Sequence, residues 1–220
     1  MQAKRVTLFA GHYGSGKTNI AVNFALHLAG QGKAVTLADM DIVNPYYRSK
    51  DSAKDLENAG VKVIASAYAN TNVDVPALPQ EMYSVTEDKS RYAVLDVGGD
   101  DRGALALGRY APAILKENDY LMVYVFNASR PLSRTAEMAL EIMQEIEIAG
   151  GIPFTAIVNN TNLGKETDWE TVAASRAEAE KLSQISGLPL LFTAVEASVL
   201  PPQYRENDDY FPLTLQKTIW

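Results

Sequence analysis

The sequence has no cysteine and only two histidines, His12 and His27. Disulfides, thiolate-held zinc and cysteine-held iron–sulfur clusters are therefore excluded, because each needs the thiolate as ligand or bonding partner. Runs of Lys or Arg are missing too, and the formal net charge is −7. Non-specific nucleic-acid surfaces depend on clustered cations that neutralise phosphates, so no nucleic-acid partner is expected, and a small molecule or a protein is. No segment approaches the roughly 20 apolar residues of a membrane span, and the apolar stretch near the N-terminus is too short for a signal segment. The expectation is a soluble, cytoplasmic protein without a transmembrane segment. Repeats, low-complexity tracts and linkers are also missing, and 220 residues suit one well-buried core, so residues 1–220 are expected to form a single domain.

What is present is alternation. Short apolar runs at Arg5–Gly11, Ala34–Asp41, Val61–Ala67, Tyr92–Gly98, Tyr120–Phe126, Phe154–Asn159 and Leu188–Val195 lack polar alternation, as strands covered on both faces do. Between them lie helix-period segments. Ile20, Phe24 and Leu28 recur at four-residue spacing before Gly30 and Gly32, and Met138, Ile142 and Ile146 recur before Gly150-Gly151. A further helix is predicted from Asp168 to Ser186, capped by Thr167 or Asp168 and closed by Gly187. The pattern implies an α/β fold: a three-layer α-β-α sandwich around a mostly parallel sheet, with right-handed crossovers. Asn70–Ser90 reads as an irregular or short-helix insertion, and Pro201–Trp220 is weakly patterned.

Three motifs carry chemistry. Gly11-His12-Tyr13-Gly14-Ser15-Gly16-Lys17-Thr18 fits the phosphate-loop pattern G-x-x-x-x-G-K-[ST], and it sits between an apolar strand and an amphipathic helix, the context that gives the pattern meaning. The glycines let backbone N–H groups turn inward as an anion nest at a helix N-terminus. Lys17 can reach the β- and γ-phosphates, and the Thr18 hydroxyl can ligate Mg²⁺. Second, Val94-Leu95-Asp96-Val97-Gly98-Gly99 ends an apolar strand in an acid suited to the Mg²⁺ shell, and the spacing to Gly99 permits a loop that senses the γ-phosphate. Third, Asp39 and Asp41 end another strand; one carboxylate could orient an attacking water while the other supports Mg²⁺ or the loop.

In this order and spacing the motifs resemble those of the MinD/ParA/CobQ group of ATPases, within the SIMIBI class of P-loop proteins, over roughly residues 4–200. The resemblance implies that Gly11 through Thr18, with Asn19, hold the nucleotide and that Lys17, Asp41 and Asp96 form the catalytic set. It also implies Mg²⁺ at Thr18, Asp41 and Asp96. Asp41–Arg48 would be switch I and Gly98–Gly103 switch II. The group's signature lysine just after the first glycine, which in many members reaches across a nucleotide-sandwich dimer, is replaced here by His12, and Tyr13 stands where a glycine is usual. His12 either contacts a phosphate or folds over the loop, and Arg48 or Arg102 could supply the missing charge to a nucleotide-dependent homodimer.

Relatives that read guanine usually carry N-K-x-D after a late strand. Here that strand ends in Asn159-Asn160-Thr161-Asn162, with neither Lys nor Asp, so ATP is favoured over GTP. Asn159 resembles the adenine-contacting asparagine of ATP-binding relatives, and the loop after Val195 through Pro201-Pro202 would form the second wall of the base pocket. Asn127-Ala128-Ser129-Arg130-Pro131 falls at the carboxyl edge of the sheet, where ligands gather, with Ser133 as an expected N-cap. The Tyr46-Tyr47 pair reads as a partner-facing patch or as loop packing. Function then reads as a MgATP-dependent switch or maturation ATPase for a protein partner. The alternative is an ATP-dependent small-molecule enzyme of the CobQ or dethiobiotin-synthetase type. A metallochaperone is disfavoured by the missing cysteines.

Overall fold

The structure, a computed structural model, describes residues 3–41, 50–65, 79–99 and 101–215, without the side chains of 50–53, 101 and 102. Among the described residues eight strands form one sheet: β1 (Val6–Ala10), β2 (Val35–Asp39), β3 (Lys62–Ile64), β4 (Tyr92–Asp96), β5 (Tyr120–Phe126), β6 (Ala156–Asn159), β7 (Leu190–Glu196) and β8 (Tyr210–Leu213). Their order is β3-β2-β4-β1-β5-β6-β7-β8, and every neighbouring pair is parallel. Seven of these strands coincide with the apolar runs. The eighth was not expected: it is four residues long and contains Pro212, which a sheet edge tolerates because the missing N–H has no ladder to serve.

Helices cover both faces. α1 (Lys17–Gly30) and α2 (Lys50–Asn58) lie on one, while α3 (Ser84–Glu87), α4 (Asp101–Gly108), α5 (Ala111–Glu117), α6 (Ala136–Gly150) and α7 (Trp169–Ser186) lie on the other. The side-chain alternation of β1 divides the core. Val6, Leu8 and Ala10 pack toward α4–α6, and Phe9 packs toward Ile20, Phe24 and Leu28 of α1. Phe24 meets Phe9 edge-on at 5.4 Å, and its truncation to alanine would remove about 3–5 kcal/mol.

Helix ends follow sequence chemistry. Asp168 caps α7 by accepting from the Thr171 N–H at 2.8 Å, and Gly187 closes it at φ 72°. α6 ends at Gly151 with φ 67°. Its cap is Thr135, not Ser133; Ser133 is buried in a short 3₁₀ turn and donates to the Asn127 carbonyl at 3.3 Å. The insertion near residue 80 contains a 3₁₀ turn at Gln80–Tyr83 running into α3. The rest of the segment expected as switch I, beyond Asp41 and including Tyr46, Tyr47 and Arg48, lies outside the described residues. Among the described residues no helix is long and apolar enough to cross a membrane.

Candidate phosphate and metal site

Because all strands are parallel, their carboxyl ends share one edge, and the loops at the ends of β1, β2, β4, β5 and β6 gather there. The β1–α1 loop has positive φ at Gly11, Gly14 and Gly16 (152, 75 and 88°), as an anion nest requires. At Gly16 a Cβ would sit 2.2 Å from the Asn160 amide nitrogen, so a side chain there would push that amide out of its place. Lys17 opens α1 at 6% exposure and folds back so that its ammonium donates to the His12 carbonyl at 3.3 Å. The His12 ring itself is half-buried, with Nδ1 3.0 Å from the Tyr13 carbonyl. Tyr13 is exposed.

Asp96 ends β4 directly beneath this loop. The Thr18 hydroxyl donates to Asp96 Oδ2, while Asp96 Oδ1 is buried without any hydrogen-bond partner. Burial pushes the Asp96 carboxyl up to about 6 and the nearby Asp41 charge adds to this, against the opposing pull of Lys17 and the Thr18 hydroxyl. A buried carboxylate with one orphaned oxygen beside a hydroxyl is a donor set that fits a hard, oxygen-loving cation. Among the described residues no group of three or more His, Asp or Glu side chains could hold a metal unaided, so water and phosphate oxygens would complete the shell.

Asp39 and Asp41 divide their tasks. Asp39 is 2% exposed, aligns with Asp96 across β2–β4, and accepts the Asp41 N–H at 2.9 Å. It thereby fixes the turn that presents Asp41, which is half-buried at the rim. Beyond Asp96, Gly99 presses against the phosphate loop: a Cβ there would meet Lys17 Nζ at 2.7 Å and the Tyr13 backbone nitrogen at 2.9 Å. The segment leading into α4 is thus in contact with the lysine that would hold phosphate.

The other wall differs from the sequence expectation. Asn159 is completely buried; it donates to the Ser175 hydroxyl at 2.8 Å and accepts from the Thr161 hydroxyl at 2.8 Å. Its amide therefore ties β6 to α7 and shapes the following loop from beneath. The neighbour Asn160 points the opposite way and donates to the Ser15 carbonyl at 2.7 Å, bracing the phosphate loop. Strand parity means only one of the two can face that loop, and the register of β6 on β5, Phe126 opposite Asn159, decides which. A small recess of about 20 Å³ next to them is lined by Asn162, Thr167, Val172, Glu196 and Leu213, with the end of β7 and β8 on its far side. Asn19 lies half-buried on the first turn of α1, its carbonyl accepting from Asn23 at 2.8 Å.

Arg130, in the segment expected at the carboxyl edge of the sheet, reaches the phosphate loop itself: its Nε donates to the Gly14 carbonyl at 2.7 Å. The side chain of Arg102, one of the two arginines expected there, lies outside the described residues.

No curated protein matches the sequence. Among solved structures, the cell division protein FtsY of Thermotoga maritima superposes with TM-score 0.60 at 18% identity, covering 86% of this chain and 61% of that one. Chloroplast FtsY of Physcomitrella patens gives 0.58 at 14% identity, with 88% and 58% covered. The signal recognition particle 54 kDa protein of Aeropyrum pernix, solved with GDP, gives 0.56 at 18%, with 87% and 41% covered. The chain spans less than two thirds of each, and at such identities the likeness is one of fold. Residues 6–167 match the family described as the CobQ/CobB/MinD/ParA nucleotide binding domain, and the chain belongs to that family.

Proposed function

We propose that the protein is a MgATP-binding P-loop ATPase that acts as a nucleotide-dependent switch, or maturation factor, for a partner protein. The observation that carries this reading is the contact of Gly99 with Lys17 and with the phosphate-loop backbone at Tyr13. A γ-phosphate entering beside Lys17 would displace or recruit Gly98 and Gly99, and because α4 begins at Asp101 occupancy of the site would be passed to that helix. Lys17 would bind the β- and γ-phosphates as a point charge, and Asp41 would orient the attacking water. Thr18, Asp96 and, through water, Asp41 would hold Mg²⁺, which when bound neutralises charge on the phosphate oxygens. The loop after β6 would flank the base; the lack of an acid in Asn159–Asn162 favours adenine, with Asn159 acting indirectly by shaping that loop.

The test is calorimetric titration with MgATP and MgGTP, together with phosphate release, for the wild type and Lys17→Ala. Wild-type-like MgATP affinity in Lys17→Ala would sink the site assignment. Asp41→Ala should keep MgATP and lose turnover, and so trap the triphosphate state. A partner that binds MgATP-loaded Asp41→Ala and MgADP-loaded wild type equally well would rule out the switch.

A further inference from the structure

Residues 127–135 connect β5 to α6, and the first of them are tied by a set of hydrogen bonds. The Asn127 side chain, wholly buried, accepts the Ser129 N–H at 2.9 Å, and the Arg130 N–H donates to the Asn127 carbonyl at 3.2 Å. The Ala128 N–H donates to the Thr161 hydroxyl at 3.0 Å, and the Ser133 N–H to the Arg130 carbonyl at 3.1 Å. Arg130 leaves this turn half-buried and lays its guanidinium against Gly14. A Cβ on that glycine would lie 3.3 Å from Nε and 3.5 Å from Cζ, so the approach uses the missing side chain.

Nε is engaged by the Gly14 carbonyl, and the two terminal nitrogens have no hydrogen-bond or ion-pair partner among the described residues. Arg5 and Arg176 differ: the first pairs with Glu117, the second with Glu180 and Asp209. A guanidinium laid on the phosphate loop, with no carboxylate partner among the described residues, adds positive charge to a loop that ends in Lys17 and the N-terminus of α1. Holding the Gly14 carbonyl would require only a neutral donor. The surplus charge is explained by an anion.

We propose that Arg130 is a phosphate-binding residue, hung on the phosphate loop by Nε and offering its terminal N–H groups to the polyphosphate of the nucleotide bound by the same chain. This rests on the phosphate-site reading above and extends it to a cation that the loop motif does not contain. The arrangement gives the site a second fixed positive charge although His12 stands at the signature-lysine position. A guanidinium suits the task better than an ammonium, since its planar fork can serve the carbonyl and an anion together.

Arg130→Gln keeps a donor for Gly14 and removes the charge; Arg130→Ala removes both. Titration with MgATP, MgADP and inorganic tripolyphosphate at two salt concentrations separates charge from propping. The expected result is a loss of about 10- to 100-fold in affinity for both variants, with a shallower salt dependence, and no fall in the nucleotide-free melting temperature for Arg130→Gln. Wild-type affinity in Arg130→Gln would overturn the proposal and leave Arg130 as a prop. Failure of the wild type to bind either MgATP or tripolyphosphate would overturn the phosphate-site reading, and this inference with it. Should either variant fold poorly, the intact protein supplies the second measurement. Phenylglyoxal modification of Arg130, followed by mass spectrometry, should be slowed by MgATP; equal rates with and without nucleotide would also overturn the proposal.

Discussion

The two ends of β1 and β4 each bury a charge, and the surroundings treat the two charges in opposite ways. At the amino end, Arg5 is 8% exposed and saturated. Its guanidinium pairs with Glu117 through both carboxylate oxygens and donates to the carbonyls of Val85 (3.1 Å) and Arg91 (3.3 Å), and Lys89 also reaches Glu117. At the carboxyl end, Asp96 is 2% exposed and half satisfied, with Oδ1 orphaned and its proton affinity raised by burial. A charge the protein completes by itself contributes to stability. A charge left incomplete costs stability in the empty protein and recovers it when a ligand supplies the missing partner. The difference separates the structural pole of the sheet from the functional one.

The largest effect should come from the structural pole. Arg5→Leu leaves the half-buried Glu117 with Lys89 alone and strips the Val85 and Arg91 carbonyls of their charged donor, and should cost about 3–5 kcal/mol in urea unfolding, while MgATP affinity of the folded protein is unchanged. The Arg5 hydrogen bond, more than its charge or that of Lys89, holds the Glu117 carboxyl below its usual range against the cost of burial. Stability from this group is therefore complete above the ordinary carboxylate value of 4.5 and is lost as pH falls through the lower folded value. Arg5→Leu should flatten that acid limb. An unchanged acid limb would mean that the pair adds nothing beyond packing.

Asp96→Asn should move stability the other way. For a carboxyl raised from 3.8 to about 6, the favourable contribution is complete below 3.8 and is lost as pH rises through 6. At neutral pH the ionised, buried group costs on the order of 3 kcal/mol in the nucleotide-free protein. The asparagine variant should thus melt higher than wild type at pH 7 and no higher near pH 4, and it should lose the Mg²⁺-dependent stabilisation by ATP. A variant destabilised at pH 7 would contradict the division into poles.

A smaller effect is expected where the two kinds of region meet. Asn160→Ala removes the donor to the Ser15 carbonyl and should cost about 1–3 kcal/mol, with a parallel weakening of MgATP binding because the braced loop is the binding element. Intact MgATP affinity would make Asn160 part of the scaffold only.

The sheet was legible because burial on both faces writes each central strand as an unbroken apolar run, and because Gly16, Lys17, Thr18 and Asp96 are residue types that few other arrangements need. Side-chain direction at strand ends was not legible. Asn159 and Asn160 are chemically identical, and only the register of β6 against β5 shows that the second, not the first, faces the phosphate loop. The contact of Arg130 with the loop was hidden for a related reason. Arg130 lies more than 100 positions from Gly14 in the chain, and only the placement of β5 beside β1 brings them together. β8 was missed because a short edge strand with a proline carries too little periodicity to distinguish it from a loop.

The smallest predicted effect tests whether lost stability alone can imitate lost function. Thr135 caps α6, its side chain accepting from the Met138 N–H at 3.4 Å, and it belongs to neither pole. Its replacement by alanine leaves that N–H to solvent and should cost about 1 kcal/mol. The core residues of α6, Ala139, Met143 and Ile146, stay buried against the sheet face opposite α1, so the loss should appear as a lower urea midpoint at constant slope. MgATP affinity should not change. If it falls as far as in Asn160→Ala, the site responds to any general loosening of the fold, and weakened binding in the other variants could no longer be read as local to the phosphate loop.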